Sequence, residues 1–491
     1  MPPFCAKRAI RTFAGHGAIG REPPPRTQGQ SQSTTFPVSG RGKAFAVAVN
    51  VRGADAESLA AAPPSVLTRG AETLAAYGPA LIVLTLPLEF TARYMGQPLV
   101  RWIIVLVAAA LGYLLLTRRR ALTLPRERSV MWLAAFVLVS VISWLITRAP
   151  SSYKAFADLA LYPFFGIMLM NLVLDDRDHA RAWIAFLVSG LGVAALGFGL
   201  YLTHHAIWIP NPVVGNRLNI TFADPNITAR FLTLVAAASV VLLATRKAPS
   251  WLCLASGAAC AVVVPMTYSR SGLALFMVSV LLAAAVTWGR KRSFALALGL
   301  LAVFAFSTAV NPVTRIRALD AYDTFVSLAG LTGAEVPVPM VPATEGTGDT
   351  VLADNRRYLV EAGVRMFRDH PMTGVGYGAF QHELSTTYAA LIPANLATRD
   401  VASHTAFVTI GSETGVLGLG LFLVFLFQLA RESWRWRRHA WVLLPATLIV
   451  PILMFSQFEG RLIEEPYFWL CLAFGYAAMR ARTAPRTRIP G

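Results

Sequence analysis

The sequence predicts an all-α polytopic membrane protein of about twelve transmembrane helices with one large extracytoplasmic loop. Three observations predict it. Only 14% of the 491 residues are charged and 55% are hydrophobic, whereas soluble domains carry roughly 25% charged residues. Apolar stretches of about 17–20 residues recur along the chain, the length that crosses a ~30 Å hydrocarbon core. The basic residues crowd alternate connections. In lipid every backbone polar group must be paired within its own segment or in a closed barrel. Runs such as LVAAASVVLLAT (234–245) lack the alternation of barrel strands, so they are read as helices.

Residues 1–70 come first and differ from the rest. They are rich in Pro, Gly, Ser and Arg (REPPPRTQGQSQSTT), and FAVAVNV (45–51) is too short for the apolar region of a signal peptide. A disordered basic cytoplasmic extension is expected there. Residues 71–310 then hold nine spans, at 73–91, 98–116, 130–147, 155–174, 182–203, 226–244, 250–267, 271–288 and 294–310. The polar stretch 311–404 is the large loop. Three more spans, at 405–430, 441–457 and 466–479, fill 405–480 before a cytoplasmic tail at 481–491. No internal repeat is evident, which disfavours transporter folds built from repeats.

The net charge of +18 would suit a nucleic-acid partner, but its placement argues against one. One set of short connections, with the C-terminal tail, holds 20 Arg and Lys, from Arg118–Arg120 through Arg290 and Arg438 to Arg488. The opposite short loops hold 6: Arg93, Arg148, Lys154, Arg217, Arg270 and Arg461. That bias is the positive-inside rule, and it sets both termini in the cytoplasm. Of the four cysteines, Cys253, Cys260 and Cys471 fall in apolar runs and Cys5 in the N-terminal stretch. None has the spacing of a disulfide framework or metal site, so no metal or cofactor is expected.

The large loop carries seven arginines against ten acids, a net −3. Loops this long are functional or disordered. Its second half reads as ordered. DNRRYLVEAGVRMFRDHP sets Tyr358, Ala362, Met366 and Phe367 near one face, an amphipathic helix suited to the bilayer surface. Pro371 and a glycine-rich turn end it.

Four residues stand out for chemistry. Arg217 in GNRLNITFADPN, Arg270 in the turn TYSRSG and Arg356 at the start of the amphipathic pattern are cations on the face where short loops are otherwise poor in them. Guanidinium groups bind phosphate bidentately and stay charged; headgroup snorkelling or a structural ion pair is the plainer alternative. His404, where the loop meets the tenth span, is a side chain able to accept a proton near neutral pH. An interfacial or capping histidine is the plainer reading there.

Together these motifs resemble the O-antigen ligase and polymerase superfamily. The match rests on Arg217 with FADPN (222–226), SRSG (269–272), the run from Arg356 through DHPMTGVGYGAF, and His404 with the downstream Gly415-Val416-Leu417-Gly418. It covers about 200–425. Thr405 stands where the family often has Asn, Ser or Gln, and Tyr358 is the aromatic nearest Val360. The resemblance implies a fold like the GT-C-type glycosyltransferases in the bacterial inner membrane, with a periplasmic site. It implies a metal-independent, inverting transferase that moves a glycan from undecaprenyl diphosphate to lipid A-core or a growing glycan. By the same resemblance His404 is the general base, Arg270 and Arg356 grip the diphosphate, and Arg217 supports them. Transfer to a protein hydroxyl stays open, as does a polysaccharide or lipid transporter, for which ionisable residues should line several spans.

Overall fold

The computed structural model describes residues 65–89, 91, 93–148, 152–203, 205, 217–222, 224–319, 349–392, 403, 405–459 and 462–483. Within these, helices occupy each of the twelve apolar runs. They are α1 (Val66–Thr85), α2 (Leu99–Leu116), α3 (Arg128–Thr147), α4 (Tyr153–Leu172), α5 (Asp176–Thr203), α6 (Pro225–Thr245), α7 (Ser250–Val263), α8 (Arg270–Val286) and α9 (Lys291–Val310). The loop adds α10 (Asp349–Asp369) and α11 (Phe380–Ser385), and the chain ends through α12 (Ala406–Arg435), α13 (Ala440–Glu459) and α14 (Pro466–Thr483). α1 opens inside the stretch assigned to the extension, with Ser65 as its cap accepting from Thr68 N at 3.2 Å; residues 1–64 lie outside the described residues.

By length and composition, ten of these helices are able to cross a membrane. Of the twelve helices on the apolar runs, the two outside that count have physical reasons. α8 is 17 residues long, and α14 dilutes its apolar run with Tyr467, Trp469, Tyr476, Arg480 and Arg482. The protein is therefore multi-pass, and among the described residues the regular structure is helical apart from a short hairpin, Arg93–Tyr94 against Gln97–Pro98.

α6 is the axis of the bundle. Its apolar window is 89% buried, whereas α2, α3 and α9 bury only 28%, 22% and 28%. The outer helices present Leu106, Leu138 and Leu298, each more than half exposed, a continuous apolar exterior that only lipid satisfies. α6 packs against α7, α8, α13, α9 and α5, and α3 against α12.

Side-chain contacts sort the connections onto two ends. At one end Arg119 meets Glu72, Lys247 meets Asp176, and Arg480 Nη2 donates to the Met170 carbonyl at 3.0 Å. This end gathers the basic connections. At the other, Lys154 bridges Asp158 and Glu464, Arg101 meets Glu89, and Ser143 on α3 reaches the large loop. The same alternation of ends follows from the charge bias.

One expectation is corrected. α10 does not turn its apolar face outward. Leu359, Ala362 and Met366 are buried with Val375, Phe380, Leu384 and Tyr388 in a small core of their own, and α10 packs on α12. Tyr358 is exposed. The buried stripe runs at i, i+3 and i+7; it keeps Ala362 and Met366 of the expected face, with Leu359 in place of Tyr358, and it meets protein.

Candidate functional site

The loop end of the bundle is built around two junctions. In the first, the FADPN segment starts α6. Asp224 is the N-cap, accepting from Asn226 N at 2.6 Å, and Pro225 takes the first helical position, where its missing N–H costs nothing. This frees the Asn226 side chain to point off the helix. Its Oδ1 accepts from Arg217 Nη2 at 3.0 Å and from Ser269 Oγ at 2.6 Å. Arg217 Nε also donates to the Thr267 carbonyl at 3.2 Å. One amide oxygen thus ties the FADPN and SRSG segments together, although 43 residues separate Asn226 from Ser269.

Ser269 also caps α8, accepting from Gly272 N at 3.1 Å. Gly272 is demanded by packing: a Cβ there would lie 2.6 Å from Ala229 Cβ on α6. The close approach holds the turn against α6 and sets Arg270 in the first turn of α8. The two arginines are used differently. Arg217 is engaged by backbone and amide oxygens, while Arg270 is half-buried with no hydrogen-bond or ion-pair partner among the described residues.

The second junction joins the glycine-rich run after α10 to a break in α12. At Gly415 φ is 64° and ψ −167°, a conformation that is essentially glycine-only. The break leaves helical carbonyls without their usual donors, and the loop supplies them. Val375 N donates to Ser412 O at 2.8 Å, Gly376 N to Glu413 O at 3.1 Å, and Val416 N to Pro371 O at 2.8 Å. Ser143 Oγ from α3 donates to Thr373 O at 3.0 Å and Glu413 O at 2.8 Å. The Glu413 carboxylate, 7% exposed, accepts from Phe380 N at 3.3 Å. Beside it burial pushes the Tyr377 phenol far up, and the Glu413 charge adds to the shift, so Tyr377 remains a neutral hydroxyl.

α10 and α12 run in constant parallel register. A Cβ on Gly363 would meet Val408 at 2.5 Å, one on Gly411 would lie 3.5 Å from Phe367, and Pro371 pairs with Val416. Continued toward the N-terminus, this register sets Leu359–Val360 level with Thr405, and position 356 one turn further. Ser403 and Thr405 are fixed by the Ser403 hydroxyl, which accepts from Thr405 N at 3.1 Å. The Arg356 side chain and all of His404 lie outside the described residues.

Three groups escaped the sequence reading. Asn226 stood in a quoted motif without a role. Glu413 interrupts an apolar helix as GSETG, a signal that was present. Arg230, one turn deeper than Asn226 on α6, is buried and forms an ion pair with Glu465; an arginine inside an apolar run is itself a signal. Glu89, at the same end of the bundle, has its carboxyl held above the usual range by burial, which Arg101 only partly offsets. Breaking a buried pair by removing one partner costs about 3–5 kcal/mol. Glu465→Ala is therefore expected to lower the melting temperature of the solubilised protein well below wild type. A wild-type melt would show that the pair does not hold α6 to α14.

Among the described residues no group of three or more His, Cys, Asp or Glu side chains is placed to hold a metal ion. Comparison with known families matches residues 255–423 to the family described as O-Antigen ligase. The match spans the SRSG turn, α10 and the Gly415 break, and begins after Arg217 and FADPN. A search of curated proteins finds no match.

Proposed function

We propose, from the match of residues 255–423 to the family described as O-Antigen ligase, that this chain is a membrane glycosyltransferase moving a glycan from undecaprenyl diphosphate to an acceptor hydroxyl. The observation that carries the reading is Arg270: a half-buried guanidinium without a partner among the described residues, steadied through Ser269 by an asparagine that also holds Arg217. Such a group is built to take an external anion.

In the proposed reaction His404 removes the proton from the acceptor hydroxyl as its oxygen attacks the anomeric carbon. The bond from that carbon to the diphosphate breaks, its electrons pass to the leaving phosphate oxygen, and the anomeric configuration inverts. The diphosphate is already a good leaving group, so the protein's task is to stabilise charge that develops there. Arg270 and Arg356 do this without a metal, with Arg217 positioning the turn that carries Arg270. The parallel register of α10 and α12 supports the grouping, since it brings position 356 to within about a turn of Thr405's level. The acceptor is lipid A-core for a ligase and a growing glycan for a polymerase. Protein hydroxyls are the remaining acceptor class.

The basic end lies in the cytoplasm by the positive-inside rule, with both termini, and the site faces the periplasm across a bacterial inner membrane. The buried charges Arg230, Glu413 and Glu465 gather at the loop end, whereas a transporter would string them along a path.

Removing one donor aimed at developing charge costs about 10²–10³-fold in rate. Arg270→Ala is expected to lower transfer on that scale with membrane levels unchanged, leaving glycan on its lipid carrier. Long stranded chains mark a ligase, single repeat units a polymerase. Wild-type turnover would remove Arg270, and with it the support for this reading.

A further inference from the structure

At the opposite, basic end a cavity of about 280 Å³ opens where the 173–175 connection and the ends of α6, α13 and α14 converge. Its size is several times a water's ~30 Å³ share of the liquid. The floor is an aromatic pair. His179 on α5 stacks on Trp441 of α13 with centroids 5.3 Å apart and planes 12° apart. The two are 3% and 5% exposed. His179 Nδ1 and Trp441 Nε1 are buried with no hydrogen-bond partner among the described residues.

The walls are cationic. Lys247 Nζ lies 4.9 Å over the Trp441 ring and 3.2 Å from Asp176. Asp175 is committed to the start of α5, accepting from Arg177 N at 2.8 Å and Asp178 N at 2.9 Å. That leaves Arg290 and Arg438, which line the cavity and have no ion-pair partner among the described residues. An adjoining cavity of about 460 Å³ shares Thr245 and Arg290 and adds Arg246, Lys291 and Arg292. Positive charge therefore exceeds the acids present, above an aromatic floor.

We propose that this cavity is a binding site for a phosphate group, carried on an anionic phospholipid headgroup or present as the free ion. Two guanidiniums give the planar forks that match phosphate oxygens, and Lys247 adds a third cation at the wall. The position, at helix ends beside the apolar Leu174, Ala478 and Ala481, is where basic pockets between membrane helices take lipid headgroups. The inference is independent of the glycosyl-transfer reading, because none of these residues belongs to the loop-end site.

The test uses the full-length protein purified in a neutral detergent, with binding followed by native mass spectrometry and by the melting temperature. The probes are phosphatidylglycerol, phosphatidylcholine and inorganic phosphate. Phosphatidylglycerol is expected to bind and raise the melting temperature where phosphatidylcholine does not. Arg290→Gln with Arg438→Gln should weaken that binding by roughly 30-fold, at about 1 kcal/mol per basic residue near the membrane surface. Arg431→Gln with Arg435→Gln removes the same charge from exposed positions outside the cavity and should leave binding near wild type. If inorganic phosphate alone gives the shift, and the Arg290/Arg438 pair abolishes it, the site takes the free ion. If neither probe binds, or both double variants weaken binding equally, the proposal is overturned and only general surface charge is at work.

Discussion

Replacing His404 with alanine is expected to leave the protein folded in the membrane and to reduce glycan transfer by about 10²–10⁴-fold, the contribution of a positioned general base. The expectation follows from the proposed chemistry. An acceptor hydroxyl is a poor nucleophile until its proton has somewhere to go, and the diphosphate leaving group needs no acid of its own. The variant should not disturb folding, because hydrogen bonds of Ser403, Thr405 and Thr409 hold the start of α12. Ser403 Oγ donates to Thr405 O at 2.8 Å and lies 2.6 Å from Thr409 Oγ1. Two readouts separate the cases: the amount of protein in the membrane, and transfer measured with lipid-linked glycan in isolated membranes. Full activity in His404→Ala would take the imidazole out of the mechanism. Loss of protein along with activity would mean the residue is structural.

Gly415→Ala should have an equally large effect by a different route. At φ 64° and ψ −167° a side chain costs about 1–3 kcal/mol in backbone strain alone. A Cβ there would also fall 2.4 Å from the Met372 carbonyl carbon and oxygen, inside any permitted contact. The backbone cannot relax by becoming helical, since Ser412 O and Glu413 O would then exchange Val375 N and Gly376 N for their own helical donors. The glycine-rich run would be expelled from α12 and would carry Tyr377 and the end of α10 with it. The expected result is a lower melting temperature, new protease cleavage between α10 and α11, and loss of transfer. A Gly415→Ala protein that melts and resists protease like wild type would show that the break does not dock the loop.

The sequence by itself determined the helical, membrane-spanning architecture and where its long apolar helices lie. Those properties are local: a run of some twenty apolar residues in lipid pairs its backbone within its own helix. It also singled out the segments that meet at the loop end, because a cation, a proline after an N-cap and runs of glycine are visible one residue at a time. Only the tertiary structure decided what those segments do to one another. That Asn226 joins Arg217 to Ser269, that Glu413 receives the loop, and that Arg230 finds Glu465 are contacts across tens to hundreds of residues, and spacing carries no record of them. What covers the apolar face of α10, and that Leu359 rather than Tyr358 begins it, were hidden for the same reason. A helix's own pattern shows which stripe is apolar, but whether lipid or another helix covers it depends on the neighbour.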